Sequence, residues 1–329
     1  MSETLITDKA QRIRDVIRYI RRFKNASVII HIDDSLIDSP LFSSHIRDIC
    51  LIHEAGLRVL IVPAAKKRID EVLKSSGYSW KTENGFRITE NEAMPLIKMA
   101  AFDVSNRIMT ALAAEKRTAV IGNWVRARAK GVIDGVDYGT CGEIDKIQMD
   151  SLETILQNGF IPIFPCIGWS SIGKPYNISS VSLAAETAVR IKADKLFFLT
   201  QDESINKNEY IIPTGLPLSP EGCIPALNLE EVALFLEENR HTDKKEVLSL
   251  LTTALLCCKK GVSRVHILSG SIDGTIPCEI FSDLGSGTMI YENNYGGIRP
   301  MTTEDVPSVL SLMLPFVEKV FYFRGQRLN

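Results

Sequence analysis

The chain has 329 residues, 45% of them hydrophobic and 24% charged, with a formal net charge of −2. That balance gives no bulk electrostatic ground for nucleic-acid binding, and it supplies enough apolar material for one large α/β core or two smaller ones. No apolar run reaches the roughly 18 uninterrupted residues of a membrane span, the opening MSETLITDKAQRIRD is too polar for a signal peptide, and the seven cysteines lack paired C-x-x-C spacing, so a cytoplasmic location with mostly buried cysteines is expected.

In chain order, residues 9–23, KAQRIRDVIRYIRRF, place Ile13, Val16, Ile17 and Ile20 at helical spacing among Arg12, Arg14, Arg18, Arg21 and Arg22. This predicts a short basic amphipathic helix (the segment 1–24) whose stripe needs a partner surface, on protein in preference to lipid. An alternation follows: strand SVIIHI, helix PLFSSHIRDICLIHEAG, strand LRVLIVP, helix RIDEVLKSSG. Later strands read RTAVIG, FIPIFPCI, KLFFLT and RVHIL, and between them lie helices at PLIKMAAFDVSNRIMTALAAE, SLETILQNG, SVSLAAETAVRI and EVLSLLTTALLCCKKG. Continuous β-branched runs predict a mainly parallel sheet with helices on both faces, a three-layer α/β/α sandwich. Ligands in such folds sit beyond the carboxyl ends of the strands, here the loops after Ile32, Pro63, Ile167 and Thr200. Residues 131–150 read as a small β excursion, and residues 201–246 as a solvated excursion with one short helix at LNLEEVALFLEEN. In the tail, GIRP reads as a strand, Thr302 or Thr303 caps an apolar helix, and VFYF reads as a second strand.

The loop after the first strand has the frame of a phosphate site but carries His31, Asp33 and Asp34. Those carboxylates repel phosphate, so capping a helix start or turn is their expected role. The loop VPAAKKRID after the second strand has small residues at Ala64 and Ala65 and could present N–H groups to an anion, or could be a plain solvated helix start. No G-x-x-x-x-G-K-[ST] or G-x-G-x-x-G run exists, and neither H-E-x-x-H nor a clustered Cys/His set supports a metal. GWSSIG has the wrong spacing for a nucleophile elbow. Glu279 lies in an apolar run, where a carboxylate needs a cationic partner, and the turn with Gly285, Gly287 and Thr288 could present backbone carbonyls. A carboxylate with carbonyls suits a guanidinium. His266 in RVHIL reads equally as a hydrogen-bonded core histidine.

Two runs, GVIDGVDYGTCGEIDKI and SRVHILSGSIDGTIPCEIFSDLGSGTMI, together with FRITENEAM and PYNIS, resemble the N-acetylglutamate synthase family over residues 25–292. The tail GGIRPMTTEDVPSVLSLMLPF, within residues 293–329, is similar to the opening of that family's GNAT acetyltransferase domain. The resemblance implies an amino-acid kinase, carbamate kinase-like fold that has lost kinase chemistry, senses L-arginine and assembles a homo-oligomer, a dimer or a hexamer through the N-terminal helix. It implies acetyl-CoA as co-substrate with L-glutamate, forming N-acetyl-L-glutamate for arginine biosynthesis. The family's later acetyl-CoA loop has no counterpart among these 329 residues, so no cofactor binding and no acetyltransferase activity are expected of them. The resemblance further implies an arginine site of Tyr19, Lys195, His266, Glu279, Gly285 and Gly287. It implies a remnant acylamino-acid pocket at Arg87 and Asn177, and a degenerate nucleotide site at His31, Asp33, Asp34, Ala64, Ala65 and Val181. In the GVIDGVDYGTCGEIDKI run the family's Thr-His pair appears as Thr140-Cys141. Two alternatives stand beside it: an acetylglutamate kinase-like enzyme using ATP, and a non-catalytic scaffold for a separate acetyltransferase.

Overall fold

Ser27–Ile32 (β1) is buried along its whole length, as an unbroken apolar run demands of a strand covered on both faces. It lies inside a computed structural model that describes residues 10, 13, 14, 16–21, 23–201, 204–281, 285–292, 306 and 309. The chain divides into two compact units, Met1–Glu292 and Asn293–Asn329. In the second, residues 306 and 309 are helical, and the rest of the predicted tail lies outside the described residues.

After β1 come helix α1 (Phe42–Glu54), β2 (Arg58–Pro63), α2 (Lys66–Ser75), the hairpin β3 (Lys81–Glu83) and β4 (Phe86–Ile88), and α3 (Met94–Ala114). Next are β5 (Ala119–Ile121), β6 (Val125–Ala129), the ribbon β7 (Val132–Ile133) and β8 (Val136–Asp137), β9 (Gly142–Ile147) and α4 (Met149–Gln157). Then β10 (Ile161–Ile163), β11 (Ile167–Trp169), β12 (Pro175–Asn177), α5 (Ser180–Arg190) and β13 (Lys195–Thr200) lead to β14 (Ala226–Asn228) and α6 (Leu229–Glu238). The unit closes with α7 (Lys245–Lys259), β15 (Arg264–Ser269), α8 (Thr275–Phe281) and β16 (Thr288–Tyr291).

Among the described residues the main sheet has eight strands in the order β14-β16-β15-β13-β1-β2-β10-β5, and a smaller one has four in the order β12-β11-β6-β9. In the main sheet β16 runs antiparallel to β15, while β1, β2, β13 and β15 pair in parallel. Side chains alternate across the sheet. Ile29, Leu196 and Phe198 join one core with residues of α5, α6 and α7, whereas Val28, Ile30, Phe197 and Leu199 join another with α1, α2, α3 and α8. The three-layer, mainly parallel architecture is therefore observed.

Three local expectations need correction. FIPIFPCI is two strands, β10 in the main sheet and β11 in the small one, because the chain leaves the sheet at Phe164–Cys166. The segment 201–246 is more than a solvated excursion: Ile205, Tyr210, Ile224 and Leu227 enter the core, and buried Asn239 pins the loop through both the N–H and the C=O of Ile211. Helix α8 was also unforeseen, since its seven residues are too few to show a helical period. The cysteines follow expectation: Cys50, Cys141, Cys166, Cys257 and Cys258 are buried and all seven are free.

Candidate functional site

The parallel strands carry polar side chains at both ends, and the two ends are built differently. At the carboxyl end of β1, His31 shares the side of Ile29 and faces α5, its Nε2 3.0 Å from Ser180 Oγ. Burial, opposed by Asp33, lowers its pKa to about 4, so the ring is neutral near pH 7. Asp33 caps the short 3-10 helix Asp34–Asp38, its Oδ1 accepting from Ser35 N at 2.9 Å and Ser35 Oγ at 2.5 Å. Asp34 reaches across to the first turn of α2 and accepts from Lys67 N at 2.5 Å and Arg68 N at 3.4 Å. Those are the donors a phosphate would use at a helix N-terminus. The chain thus places its own carboxylate on donors that could otherwise take an anion. Burial and the neighbouring Asp33 raise the Asp34 pKa against the two backbone bonds.

Ala64 and Ala65 are buried, and the Ala64 N–H is spent on Ile32 O at 2.8 Å, leaving the loop little to offer an anion. Val181 packs against the apolar core and brings no polar group to the front loops. Arg87 turns toward α2: it pairs with Asp70, donates to Lys66 O at 3.0 Å and stacks on Trp80 with 5.4 Å to the ring centre. Asn177 lies at the end of β12, and Cys141 joins it to Arg87, since Cys141 bridges Asn177 and its Sγ donates to Arg87 O at 2.8 Å. The two residues are close, but the guanidinium is already engaged.

The amino-end half of the sheet gathers the other set. Lys195 opens β13 on the side of Phe197 and is 1% exposed. His266, also 1% exposed, sits opposite Phe197 in register, and the two rings meet edge to face at 4.8 Å. Helix α8 lies over this side of the sheet and delivers Glu279, 8% exposed, with its Oε1 2.6 Å from His266 Nδ1. Its Oε2 accepts from Ser286 N at 2.6 Å and Gly287 N at 3.0 Å.

Both glycines are required by this wrapping. Gly285 has φ 68°, and a Cβ there would fall 2.6 Å from Glu279 Oε2; one on Gly287 would fall 2.3 Å from Ile267 O. The turn therefore delivers N–H groups to the carboxylate, a different use from the carbonyls expected of it. Burial pushes the Glu279 carboxyl up, but His266 and the Ser286 and Gly287 N–H groups outweigh it and hold the pKa below the usual range. Burial lowers the His266 pKa to about 4, with the Glu279 bond opposing it and the Lys195 charge adding to it.

Tyr19, on the N-terminal helix, stacks on Phe23 at 4.3 Å and meets Phe281 edge-on at 5.6 Å. Phe23 in turn places its ring 5.2 Å from Lys195 Nζ. The six residues assigned by resemblance thus converge from the N-terminal helix, β13, β15, α8 and the turn before β16. Phe23, Phe281 and Ser286 join them unforeseen. Phe281 follows Glu279 by two residues, and Ser286 lies between the two predicted glycines, so sequence neighbourhood was the available signal. The arrangement is a buried cation–carboxylate–imidazole set beside the Tyr19, Phe23 and Phe281 rings.

The model of the amino acid kinase family matches residues 3–269. The chain is 29% identical over 326 residues to an amino-acid acetyltransferase of Actinobacillus pleuropneumoniae serotype 7, covering 98% of this chain and 72% of the relative. An amino-acid acetyltransferase of Shigella flexneri is 27% identical over 331 residues with the same coverage, 98% and 72%. Among solved structures, N-acetylglutamate synthase from Neisseria gonorrhoeae complexed with coenzyme A and L-arginine matches with a TM-score of 0.78 at 28% identity, covering 93% of this chain and 70% of that one. Carbamate kinase from Giardia lamblia bound to AMP-PNP matches with a TM-score of 0.60 at 13% identity over 82% of this chain and 99% of that one, a likeness of fold alone.

Proposed function

The chain belongs to the amino acid kinase family, and from that premise we propose that its unit Met1–Glu292 is a non-phosphorylating, L-arginine-binding regulatory domain of the N-acetylglutamate synthase type. The observation that carries this reading is the convergence of Lys195, His266, Glu279 and the Gly285–Gly287 turn beside Tyr19. Glu279 supplies the negative charge that draws a guanidinium, Lys195 faces the ligand's carboxylate, and Tyr19 closes the site from the N-terminal helix. Removing one partner of a buried charge pair of this kind costs about 2–5 kcal/mol of binding. The similarity to N-acetylglutamate synthase complexed with coenzyme A and L-arginine supports the same ligand.

The reaction this domain serves is transfer of acetyl from acetyl-CoA to L-glutamate, as the named relatives suggest. The front loops support the loss of kinase chemistry, since Asp34 fills the α2 terminus and Arg87 is held by Asp70. Exposure of Ile13 (60%) and Ile17 (46%) on the N-terminal helix supports docking of that helix on another subunit of a homo-oligomer. Among the described residues no helix is long and apolar enough to cross a membrane. Isothermal titration and thermal-shift measurements with L-arginine test the proposal: saturable heat and a rise in Tm are expected, and neither at millimolar arginine would reject it.

A further inference from the structure

We infer that the loop 270–274 is a mechanical joint through which the front 3-10 helix (Asp34–Asp38) and helix α8 move as one piece. The inference goes beyond the effector reading and stands without it. Gly270, which follows β15, is the centre of the joint. Its N–H donates to Thr200 O at 2.6 Å, and its carbonyl lies 2.8 Å from His45 Nε2. A carbonyl only accepts, so Nε2 carries the ring proton and buried His45, near the start of α1, donates to the loop. A Cβ on Gly270 would fall 2.6 and 2.7 Å from the two Cδ atoms of Leu36 and 3.0 Å from Thr200 O. Leu36, 2% exposed in the middle of the 3-10 helix, thus fills the space that a side chain at position 270 would need.

A second pin lies beside the first: Ser44 Oγ is 2.5 Å from Asp273 Oδ1. Two residues on, Thr275 begins α8, whose fully buried Ile276 and Ile280 share one core with Leu36 and Ile37 and with Ile46 and Ile49 of α1. The 3-10 helix is held at its other end, where Asp33 caps it and Asp34 accepts from the first turn of α2. Close-packed interiors pass a displacement on, and coupling between separated sites runs through such chains of packed side chains and hydrogen bonds. A shift of Leu36 must carry Gly270 with it or open a gap against it. A shift of Gly270 pulls on the His45 bond and on the entry to α8. The front loop and the helix that bears Glu279 are therefore joined mechanically, although their polar groups serve different ends of the strands.

The test is native-state hydrogen exchange on the full chain, read in the 3-10 helix and α8, with β10 from the same core and α6 from the other core as controls. Leu36→Ala is expected to speed exchange in the 3-10 helix and α8 together, by at least about tenfold, with both controls unchanged. Coupling is reciprocal, so Ile276→Ala on α8 is expected to speed exchange in the 3-10 helix in turn. Should Leu36→Ala fail to fold, a pair of His45 variants reads the same joint. His45→Leu removes the donor to Gly270 and is expected to release both elements, whereas His45→Gln keeps an amide donor and is expected to hold both. Acceleration confined to the mutated element, or equal acceleration in the controls, overturns the inference.

Discussion

Truncating Glu279 to alanine probes the rear site most severely, and its cost can be worked from the hydrogen bonds. The carboxylate now receives His266 Nδ1–H and the N–H groups of Ser286 and Gly287, all in a buried or half-buried setting. Alanine leaves three donors unanswered, each worth about 1–3 kcal/mol when buried. Water entering the space left by the side chain recovers part of this, so a net loss of about 3–5 kcal/mol is expected. For a unit of this size, Met1–Glu292, that is a fall in Tm of roughly 5–8 °C. The assay is calorimetric unfolding of wild type, Glu279→Ala and Glu279→Gln, each with and without arginine. Glu279→Gln keeps an oxygen for the two backbone donors and should lose much less stability while still losing arginine response. A Glu279→Ala protein that melts within 2 °C of wild type would refute the accounting. One that kept a full arginine-dependent shift would refute the charge assignment.

Other consequences follow from the same geometry. His31 and His266 are each held neutral by burial, with pKa values near 4 against 6.5 for a free ring, so the unfolded chain takes up protons first. Stability from these two residues is complete above about pH 6.5 and is lost as pH falls toward 4, about 3 kcal/mol for each ring, and urea midpoints that stay flat from pH 7 to 4.5 would contradict this. At the front, Asp34→Asn retains an oxygen for Lys67 N–H and removes repulsion from Asp33, so at pH 7 it should be neutral or stabilising by up to about 1 kcal/mol, whereas Asp34→Ala loses the cap and about 1–2 kcal/mol; denaturant melts distinguish the two. Gly285→Ala forces a side chain into φ 68° and against the Glu279 carboxylate and should weaken arginine binding, while Gly261→Ala, also at positive φ but with nothing within 4 Å, should cost stability alone; equal arginine affinity in both would disprove the close approach. MgATP should give no thermal shift, and ADP formation with N-acetylglutamate would restore the kinase reading.

Legibility in the sequence followed length and period. Long continuous runs such as SVIIHI and KLFFLT announced buried parallel strands, because a strand covered on both faces has no reason to alternate. Short elements gave no such warning. Strand β16 is four residues and α8 is seven, both below the length at which a period can be counted, and together they bring in Glu279 and the Gly285–Gly287 turn. That Glu279 needed a partner could be argued from its apolar neighbours; that the first partner would be His266 could not, since thirteen residues and a loop separate the two. At the front, capping by Asp33 was readable from local spacing, but Asp34 capping a helix thirty-three residues away depends on β1 and β2 lying side by side in parallel.

The two carboxylates show how one device yields opposite sites. Asp34 and Glu279 each take two consecutive backbone N–H groups, from Lys67 and Arg68 in a segment remote in sequence in one case, from Ser286 and Gly287 in the turn that follows α8 in the other. At the front, those donors are the first turn of a helix, the neighbour is a second aspartate, and the Asp34 pKa rises: the anion-binding capacity is used up and further anions are repelled. At the rear, the donors belong to a turn and the remaining carboxylate oxygen meets His266, which together outweigh burial, so the Glu279 pKa falls. A buried carboxylate that stays ionised needs donors or a counter-charge, and here the donors are His266 and the Ser286 and Gly287 N–H groups. The chemistry that distinguishes the two ends is therefore the second neighbour of each carboxylate: an aspartate at the front, which raises the Asp34 pKa, and a histidine at the rear, which lowers that of Glu279.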